Sequence, residues 1–390
     1  MMKPAFRNFM PDIASAARRT AATVDFDRKV YCLLGLPFDA LSMADAVRTV
    51  RRAAARRKAC FMSTPNLNFL VGCRNDGQFR DSVIHSDLSV ADGMPLVWIA
   101  RMLDIPITER VSGAGLFEAL RGNSAQSLSV YLFGGPEGAG EAACRRLNAE
   151  SAGLRCSGFA APGFGSIDDM SSAATIATIN ASRADFLLVA LGAKKGQAWI
   201  ERNRARISVP VISHLGAVVN FVAGTVQRAP PWMQRSGLEW LWRIWQEPVL
   251  WQRYFADGTA LLRLLATRVI PNWFDIRRHA PSGEALDAAA IIMREDAGIK
   301  VLSLRGAWTR TNLGPLRRCF AGLAAMDADI RIDMQDTTYV DAAFLGLLLL
   351  LYGHQQEHGR RLLCQPLSPQ SRKAFTFGCC EFLLDGGRPR

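Results

Sequence analysis

Residues 185–191 read Asp185-Phe186-Leu187-Leu188-Val189-Ala190-Leu191, and Gly192-Ala193-Lys194-Lys195-Gly196-Gln197 follow. After Asp185 the next six form an unbroken apolar run of strand length, the pattern of a strand covered on both faces, and the glycine-opened turn leads into a helix. The same grammar recurs in Ala59–Ser63, Leu88–Ala91, Leu128–Phe133, Arg155–Ala160 and Val209–Ser213, with amphipathic stretches between the runs. Alternation at this spacing predicts an α/β chain with a Rossmann-like, mainly parallel sheet and helices on both faces. Ligands of such sheets sit beyond the carboxyl ends of the strands. The first candidates for function are therefore Thr64 with Asn66, Asp92 with Gly93, Gly134 with Gly135, and the Gly192–Gln197 turn.

The chain has 390 residues, 49% hydrophobic and 21% charged, enough for two or three packed domains and unlike disordered or fibrous chains. Its 47 Lys and Arg against 35 Asp and Glu leave a net charge of +12, which points to an anionic partner. With no nucleic-acid-binding motif, a membrane surface or a phosphorylated substrate ranks ahead of nucleic acid. The charge has a location: six of the nine Trp and eight Arg fall within residues 228–278. There Leu238, Leu241, Trp242, Trp245 and Val249 recur at helical spacing, Pro248 breaks the pattern, and a second apolar-basic helix runs over Val249–Ile270. This reads as an amphipathic appendage, with Arg228, Trp232, Trp240, Trp242, Trp245 and Trp251 as membrane candidates.

Around it we expect a flexible basic arm over residues 1–28, the main domain over 29–227, a linker over 279–284 and a smaller, independent α/β domain over 285–390. In that last part Ile299–Leu304, Asp329–Asp333 and Arg361–Cys364 read as strands, and Asn312–Ala325, Ala342–His358 and Ser368–Phe377 as helices. The arm lacks the apolar core of a signal peptide, so the chain is expected to stay in the cytoplasm. The longest apolar run, Ala342–Tyr352, is about half of the roughly 20 residues that span a bilayer. Nine cysteines with no C-x-x-C predict neither a disulfide framework nor a zinc ribbon, and a reducing compartment. His354 and His358 have metal-ligand spacing on a helix but no third ligand, and read as a solvent-facing pair.

Taken singly, each candidate admits two readings. Asp92, ending a strand before Gly93 and Pro95, is either a general base projecting into a cleft or a helix cap. Thr64 and Asn66 suit sugar hydroxyls, or cap the next helix. Gly134-Gly135 allows close approach of a ligand to the backbone, or makes an ordinary turn. Lys194 and Lys195 face a diphosphate, or solvent. There is no P-loop, Ser-His-Asp set or metal constellation.

Together these residues resemble the WecG/TagA/CpsF glycosyltransferases over about Leu34 to Asn272. The resemblance is carried by Leu34-Gly35-Leu36-Pro37-Phe38-Asp39, Thr64 with Asn66, Asp92-Gly93, Arg110 with Gly113, Gly134-Gly135, Leu191-Gly192, Lys195 and Trp199. It continues in Ala223-Gly224-Thr225 through Arg228-Ala229-Pro230, Trp232-Met233, Gly237-Leu238-Glu239-Trp240-Leu241, Glu247-Pro248 and Arg253-Tyr254. It implies metal-independent transfer, with inversion and no cofactor, of a sugar from a UDP-sugar to an undecaprenyl-diphosphate-linked acceptor. The enzyme would sit peripherally on the inner face of the cell membrane. By position, Asp92 would be the base, Thr64 and Asn66 would line the sugar pocket, and Arg110 would meet the diphosphate. Gly93, Gly113, Gly134, Gly135, Lys195 and Gln197 would complete the substrate site, and Arg243 and Arg253 would be diphosphate ligands from the appendage. The sequence departs from the family pattern at Gly196, where Gln is usual, at His214, where Gly is usual, and at Gly115, Asn220 and Leu250.

Residues from about Ala285 to Asp385 resemble a STAS domain through Ile330-Arg331-Ile332-Asp333 and Tyr339-Val340-Asp341-Ala342-Ala343-Phe344-Leu345-Gly346-Leu347-Leu348. Ala342 and Ala343 stand where phosphoregulated members carry Ser or Thr, while Thr337 and Thr338 read as loop residues. The resemblance therefore implies docking of a protein partner or ligand sensing rather than a phosphoswitch. The alternative for the whole chain is a catalytically degenerate, membrane-associated scaffold acting through this domain.

Overall fold

A computed structural model of the chain describes residues 24–122 and 127–385, apart from the Arg235 side chain. Most of the expected arm, residues 1–23, lies outside the described part. Residues 24–28 are packed: Phe26 is buried, and Arg28 clasps Asp39 through two bonds of 3.0 and 2.7 Å.

The chain first forms an antiparallel hairpin of β1 (Val30–Leu33) and β2 (Leu36–Asp39) that strand periodicity did not reveal. Its two-residue turn, Leu34-Gly35, has positive φ at both positions (52° and 90°), the conformation that matches hairpin twist. Gly35 is required twice, since a Cβ there would lie 2.8 Å from the Cys379 carbonyl oxygen.

The six apolar runs then appear as β3 (Cys60–Ser63), β4 (Leu88–Ser89), β5 (Leu128–Gly134), β6 (Leu154–Ala160), β7 (Phe186–Ala190) and β8 (Val211–His214). They form one all-parallel sheet in the order β4-β3-β8-β7-β5-β6. Side chains alternate between two cores, as a strand's period of two requires. Val130, Leu132 and Leu188 face one helical layer, while Tyr131, Phe133, Leu187 and Val189 face the other, where Phe133 stacks on Trp199 at 4.4 Å. A Cys144–Cys156 disulfide ties the Ala139–Glu150 helix to β6, a pairing the cysteine spacing did not lead us to expect.

The appendage consists of helices Pro231–Ser236, Glu239–Gln246, Trp251–Leu264 and Ile270–Arg278, with a π-helical turn over Leu265–Val269. The expected linker covers little more than residues 279–282, because a short helix, Gly283–Asp287, follows.

The C-terminal sheet is built from β9 (Ala290–Asp296), β10 (Ile299–Trp308), β11 (Ile330–Met334), β12 (Thr337–Val340) and β13 (Leu362–Leu367). Its order is β12-β10-β11-β13, parallel, with β9 antiparallel on β10. Two of these strands were not expected: β9, and β12, which takes up Thr337 and Thr338. The Leu-rich helix Ala342–Glu357 is buried at every position from Ala343 to Gln355. One face lies on its own sheet, and the other lies on β1 and the end of the Gly77–Ile84 helix. A Cβ on Gly346 would be 2.7 Å from the Val30 carbonyl oxygen, and one on Gly353 would be 2.9 Å from Ile84. Phe26, Val30, Cys32 and Ile84 accordingly belong to the same core as Leu347, Leu348 and Leu351. The two sheets are separate, but the second domain is not independent. His354 is also buried, with Nε2 2.9 Å from the Ala324 carbonyl, so the histidines are not a solvent-facing pair.

Candidate active site

After β3 and β4 the two chain segments run on side by side: the amides of Val90 and Asp92 bond the carbonyls of Ser63 and Pro65 at 3.1 and 2.9 Å. This places Asp92 beside Asn66 at the carboxyl edge of the sheet. The helix Met94–Met102 is capped at Gly93 without a side-chain bond, so Asp92 is not its cap. Its carboxylate instead accepts from the Gly113 amide at 3.2 Å and from Arg110 Nε at 3.3 Å. Burial pushes the Asp92 carboxyl up, Arg110 pulls it down and the nearby Glu239 pushes it up again, leaving it above the ordinary carboxylate value.

Thr64 is buried, and its Oγ1 lies against Gly113. A Cβ at Gly113 would approach that oxygen to 3.2 Å and Leu215 Cδ2 to 2.3 Å, so only glycine fits. Asn66 Oδ1 caps the Leu67–Asn75 helix through the Phe69 amide at 3.1 Å, while its amide nitrogen makes no hydrogen bond among the described residues. Thr64, Asn66, Asp92, Gly93, Arg110 and Gly113 are thus gathered in one place.

The other candidates lie apart from that cluster. Gly134 and Gly135 end β5, three strands along from β3, roughly 14 Å at the usual strand spacing. Gly134 has φ of 96°, and a Cβ there would lie 2.7 Å from the Ala190 carbonyl oxygen. Lys194 pairs with Asp76, and Lys195 donates to the Gly165 carbonyl. Gln197 is fully buried and donates to Ser63 Oγ at 2.8 Å, one residue before Thr64; its Oε1 has no partner.

Gly196 and His214 prove to be a single feature. A Cβ on Gly196 would fall 2.2 Å from His214 Cδ2, so the imidazole fills the space a side chain at 196 would take. The His214 ring is anchored by Nε2 to the Leu191 carbonyl at 2.5 Å. Its burial lowers its pKa despite that bond, favouring the neutral ring.

The appendage closes over the Asp92 end. Gly237, at φ 77°, lets the turn before Glu239 settle on the helix that follows Gly93; a Cβ there would be 3.0 Å from Met94 and 3.1 Å from Trp98. Glu239 thereby reaches Arg110 at 2.6 Å, so the guanidinium bridges two carboxylates. Arg243 lies one turn on, half-buried, with Nε unpartnered. Arg253 is exposed above the Tyr254 ring at 4.9 Å, and Arg228 turns back to Gln234 at 3.1 Å. Asp257, buried, accepts from Asn68 at 3.2 Å and ties the appendage to the Leu67–Asn75 helix. Trp232, Trp240, Trp245 and Trp251 are exposed, by 59, 45, 72 and 54%, whereas Trp242 is half-buried and donates to the Gln227 carbonyl at 3.1 Å.

Residues 31–273, well over half of the chain and spanning this whole arrangement, match the profile of the Glycosyl transferase WecG/TagA/CpsF family. The chain belongs to that family. Residues 293–378 of this glycosyltransferase match a STAS domain profile of the Mlab type. Its curated relatives include the N-acetylglucosaminyldiphosphoundecaprenol N-acetyl-beta-D-mannosaminyltransferases of Bacillus spizizenii W23 and Bacillus subtilis 168. Each is 25% identical, covering 51 and 52% of this chain and 76 and 78% of the relative. The protein of that name from Staphylococcus aureus MRSA252 is 24% identical over 54% of the chain and 82% of its own length.

Three residues of this glycosyltransferase escaped the sequence reading of the site. Glu239 stood as a matched position of the family pattern, Asp257 drew no reading, and His214 looked like an isolated departure. A group with metal-ligand geometry, His85, Glu201 and Glu357, lies at the contact between the two domains, away from Asp92. Arg204 is ion-paired to both of its carboxylates.

Proposed function

We propose that the enzyme transfers a hexose or N-acetylhexosamine from a UDP-sugar, with inversion, to an undecaprenyl-diphosphate-linked acceptor at the inner face of the membrane. The observation that carries this reading is the Asp92 carboxylate, which does not cap the helix that follows it but is held between Arg110 and the Gly113 amide, at the start of the Gly113–Arg121 helix, beside Thr64 and Asn66. The printed names of the relatives support the acceptor class, and the exposed tryptophans of the appendage support the location.

In the reaction Asp92 takes the proton of the acceptor hydroxyl while its oxygen attacks the anomeric carbon, and UDP leaves from the opposite face with the bonding pair. Arg110 stays charged throughout, since Asp92 and Glu239 outweigh the effect of burial and raise its pKa further. An incoming diphosphate competes with Glu239 for that guanidinium. Thr64 and the free amide of Asn66 orient sugar hydroxyls, and no step calls on a metal or cofactor. The His214 ring occupies the space a side chain at position 196 would take, so Gly196 and His214 count as one departure from the family pattern rather than two. Asp92→Asn keeps the shape and loses the base, so transfer to a lipid-diphosphate-sugar should fall about 10²- to 10⁴-fold with the melting temperature unchanged. An unaltered rate removes Asp92 from the mechanism.

A further inference from the structure

A cavity of about 770 Å³ opens between the Leu67–Asn75 helix and the stretch from Thr259 to Arg268 of the appendage. Arg74, Arg263 and Arg268 line it together with Asn75, Thr259 and Thr267, and no lining residue is acidic. Two of the arginines are fixed from outside the cavity. Arg74 Nη1 lies 2.8 Å from Cys379 Sγ, and Arg268 donates to the Thr376 carbonyl at 2.6 Å and pairs with Glu381 at 2.8 Å. The Arg263 guanidinium makes no hydrogen bond or ion pair among the described residues. The wall includes the π-helical turn, a distortion that often marks functional positions in helices.

We infer that this cavity is a docking site for the phosphate headgroup of an anionic membrane phospholipid, distinct from the acceptor site. Arg74 lies eight residues beyond Asn66, about 12 Å along the helix axis, so a phosphate here is not the diphosphate at Arg110. Three guanidinium groups without a lining carboxylate select an anion, and arginine's planar fork suits phosphate oxygens. The rim separates a lipid from a free phosphate. Leu262, next to Arg263 in the chain, and Ile270, two residues beyond Arg268, are 67 and 43% exposed, and Phe255 and Trp251, 66 and 54% exposed, add apolar surface nearer the start of the Trp251–Leu264 helix. A soluble phosphate gains nothing from such a rim, whereas a phospholipid seated on the arginines lays its acyl chains along it. The site thus fixes the depth and rotation of the appendage on the bilayer.

This inference rests on the membrane reading of the appendage, and vesicle binding by the full-length protein separates the two. Sedimentation is compared on neutral phosphatidylcholine vesicles and on vesicles containing phosphatidylglycerol, for the wild type, Arg74→Gln/Arg263→Gln and Arg277→Gln/Arg278→Gln. The last pair loses the same amount of charge, from the appendage but outside the cavity. Wild-type binding should strengthen at least tenfold with phosphatidylglycerol, and the cavity pair should lose most of that gain, at roughly fivefold per arginine. Both pairs should match the wild type on neutral vesicles, and the control pair should keep most of the gain. Equal losses from the two pairs mean diffuse attraction and overturn the site, as does an undiminished gain in the cavity pair. Abolition of the gain by millimolar inorganic phosphate also overturns the lipid assignment, in favour of a soluble phosphate. Absence of wild-type binding to either vesicle overturns the membrane reading itself.

Discussion

Two helical regions of this chain are unusually apolar, and they end in opposite environments. The Leu-rich helix of the STAS domain has no polar face from Ala343 to Gln355, and all of it is buried, because the glycosyltransferase hairpin covers the side its own sheet leaves open. The appendage leaves large apolar side chains that no described residue covers: Trp245, Val249, Phe255 and Leu262 are 66% exposed or more. Soluble surfaces rarely leave contiguous apolar patches of this kind without a partner. Apolar helices therefore make an internal joint in one place and, on the proposed function, a membrane-facing surface in the other. The side of this helix that its own sheet leaves open is already occupied from within the chain.

The sharpest way to break the contrast is to substitute each face and ask what is lost. Trp245→Ser/Trp251→Ser/Phe255→Ser should weaken binding to neutral vesicles by about a thousandfold or more, at about 1.5–3 kcal/mol per large side chain, with little change in melting temperature. A cooperative loss of fold would show that the face packs on protein. Substitution is preferable to truncation at Arg228, which would also strip the Leu-rich helix from β1. Conversely, Gly346→Leu drives a side chain into the Val30–Tyr31 backbone and should cost about 3 kcal/mol in calorimetric stability while sparing vesicle affinity per folded molecule. A stable variant would mean that the joint yields.

A smaller effect is expected within the site. Gly196→Gln alone meets the His214 ring and should cost about 2 kcal/mol, while Gly196→Gln/His214→Gly should recover most of it, giving a large coupling in a double-mutant cycle. Additive losses would separate the two positions. Glu239→Gln removes a like charge that raises Asp92 and frees Arg110 to hold it, and both changes lower the Asp92 pKa. Asp92 acts deprotonated, so the acid limb of the transfer profile should move to lower pH. No movement, or the opposite one, disconnects the appendage from the base.

The slightest effect should come from the polar edge of the joint. Burial lowers the His85 pKa, but Glu201, 2.9 Å away, outweighs it and raises the pKa above the ordinary histidine value. Glu201 is half-buried, and its bonds to His85 and Arg204 outweigh desolvation and hold it below the ordinary carboxylate value. The histidine's contribution is full below its unfolded pKa of about 6.5 and is lost as pH rises through its raised folded value. The glutamate's is present above about 4.5 and is lost as pH falls through its lowered one. Stability should therefore be greatest between those limits, and His85→Gln should flatten its upper edge in melts across pH.

How much of this was readable in advance depended on whether the signal was local. The six parallel strands announce themselves because each is a continuous apolar run between turn residues, and the Asp92 cluster follows from the rule that function gathers at strand ends. The β1–β2 hairpin did not: its strands have four residues each and are buried almost throughout, so they show no alternation. Pairing Gly196 with His214, or Cys144 with Cys156, requires knowing which strands and helices are neighbours. Glu239 looked like the solvent side of an amphipathic helix until the Gly237 turn aimed it at Arg110. The Ala342–Tyr352 run was legible as a core helix, but not that the second half of its core belongs to the other domain.

The most direct test is a screen of UDP-sugars against a polyprenyl-diphosphate-linked N-acetylhexosamine acceptor presented in vesicles, with the full-length protein and product detection by mass. One donor should give an acceptor heavier by a single sugar residue, in the β configuration from an α-linked donor, and Asp92→Asn should form it about 10²- to 10⁴-fold more slowly. A wild-type protein that binds the vesicles yet transfers no sugar from any UDP-linked donor would contradict the assignment and leave the degenerate scaffold in its place.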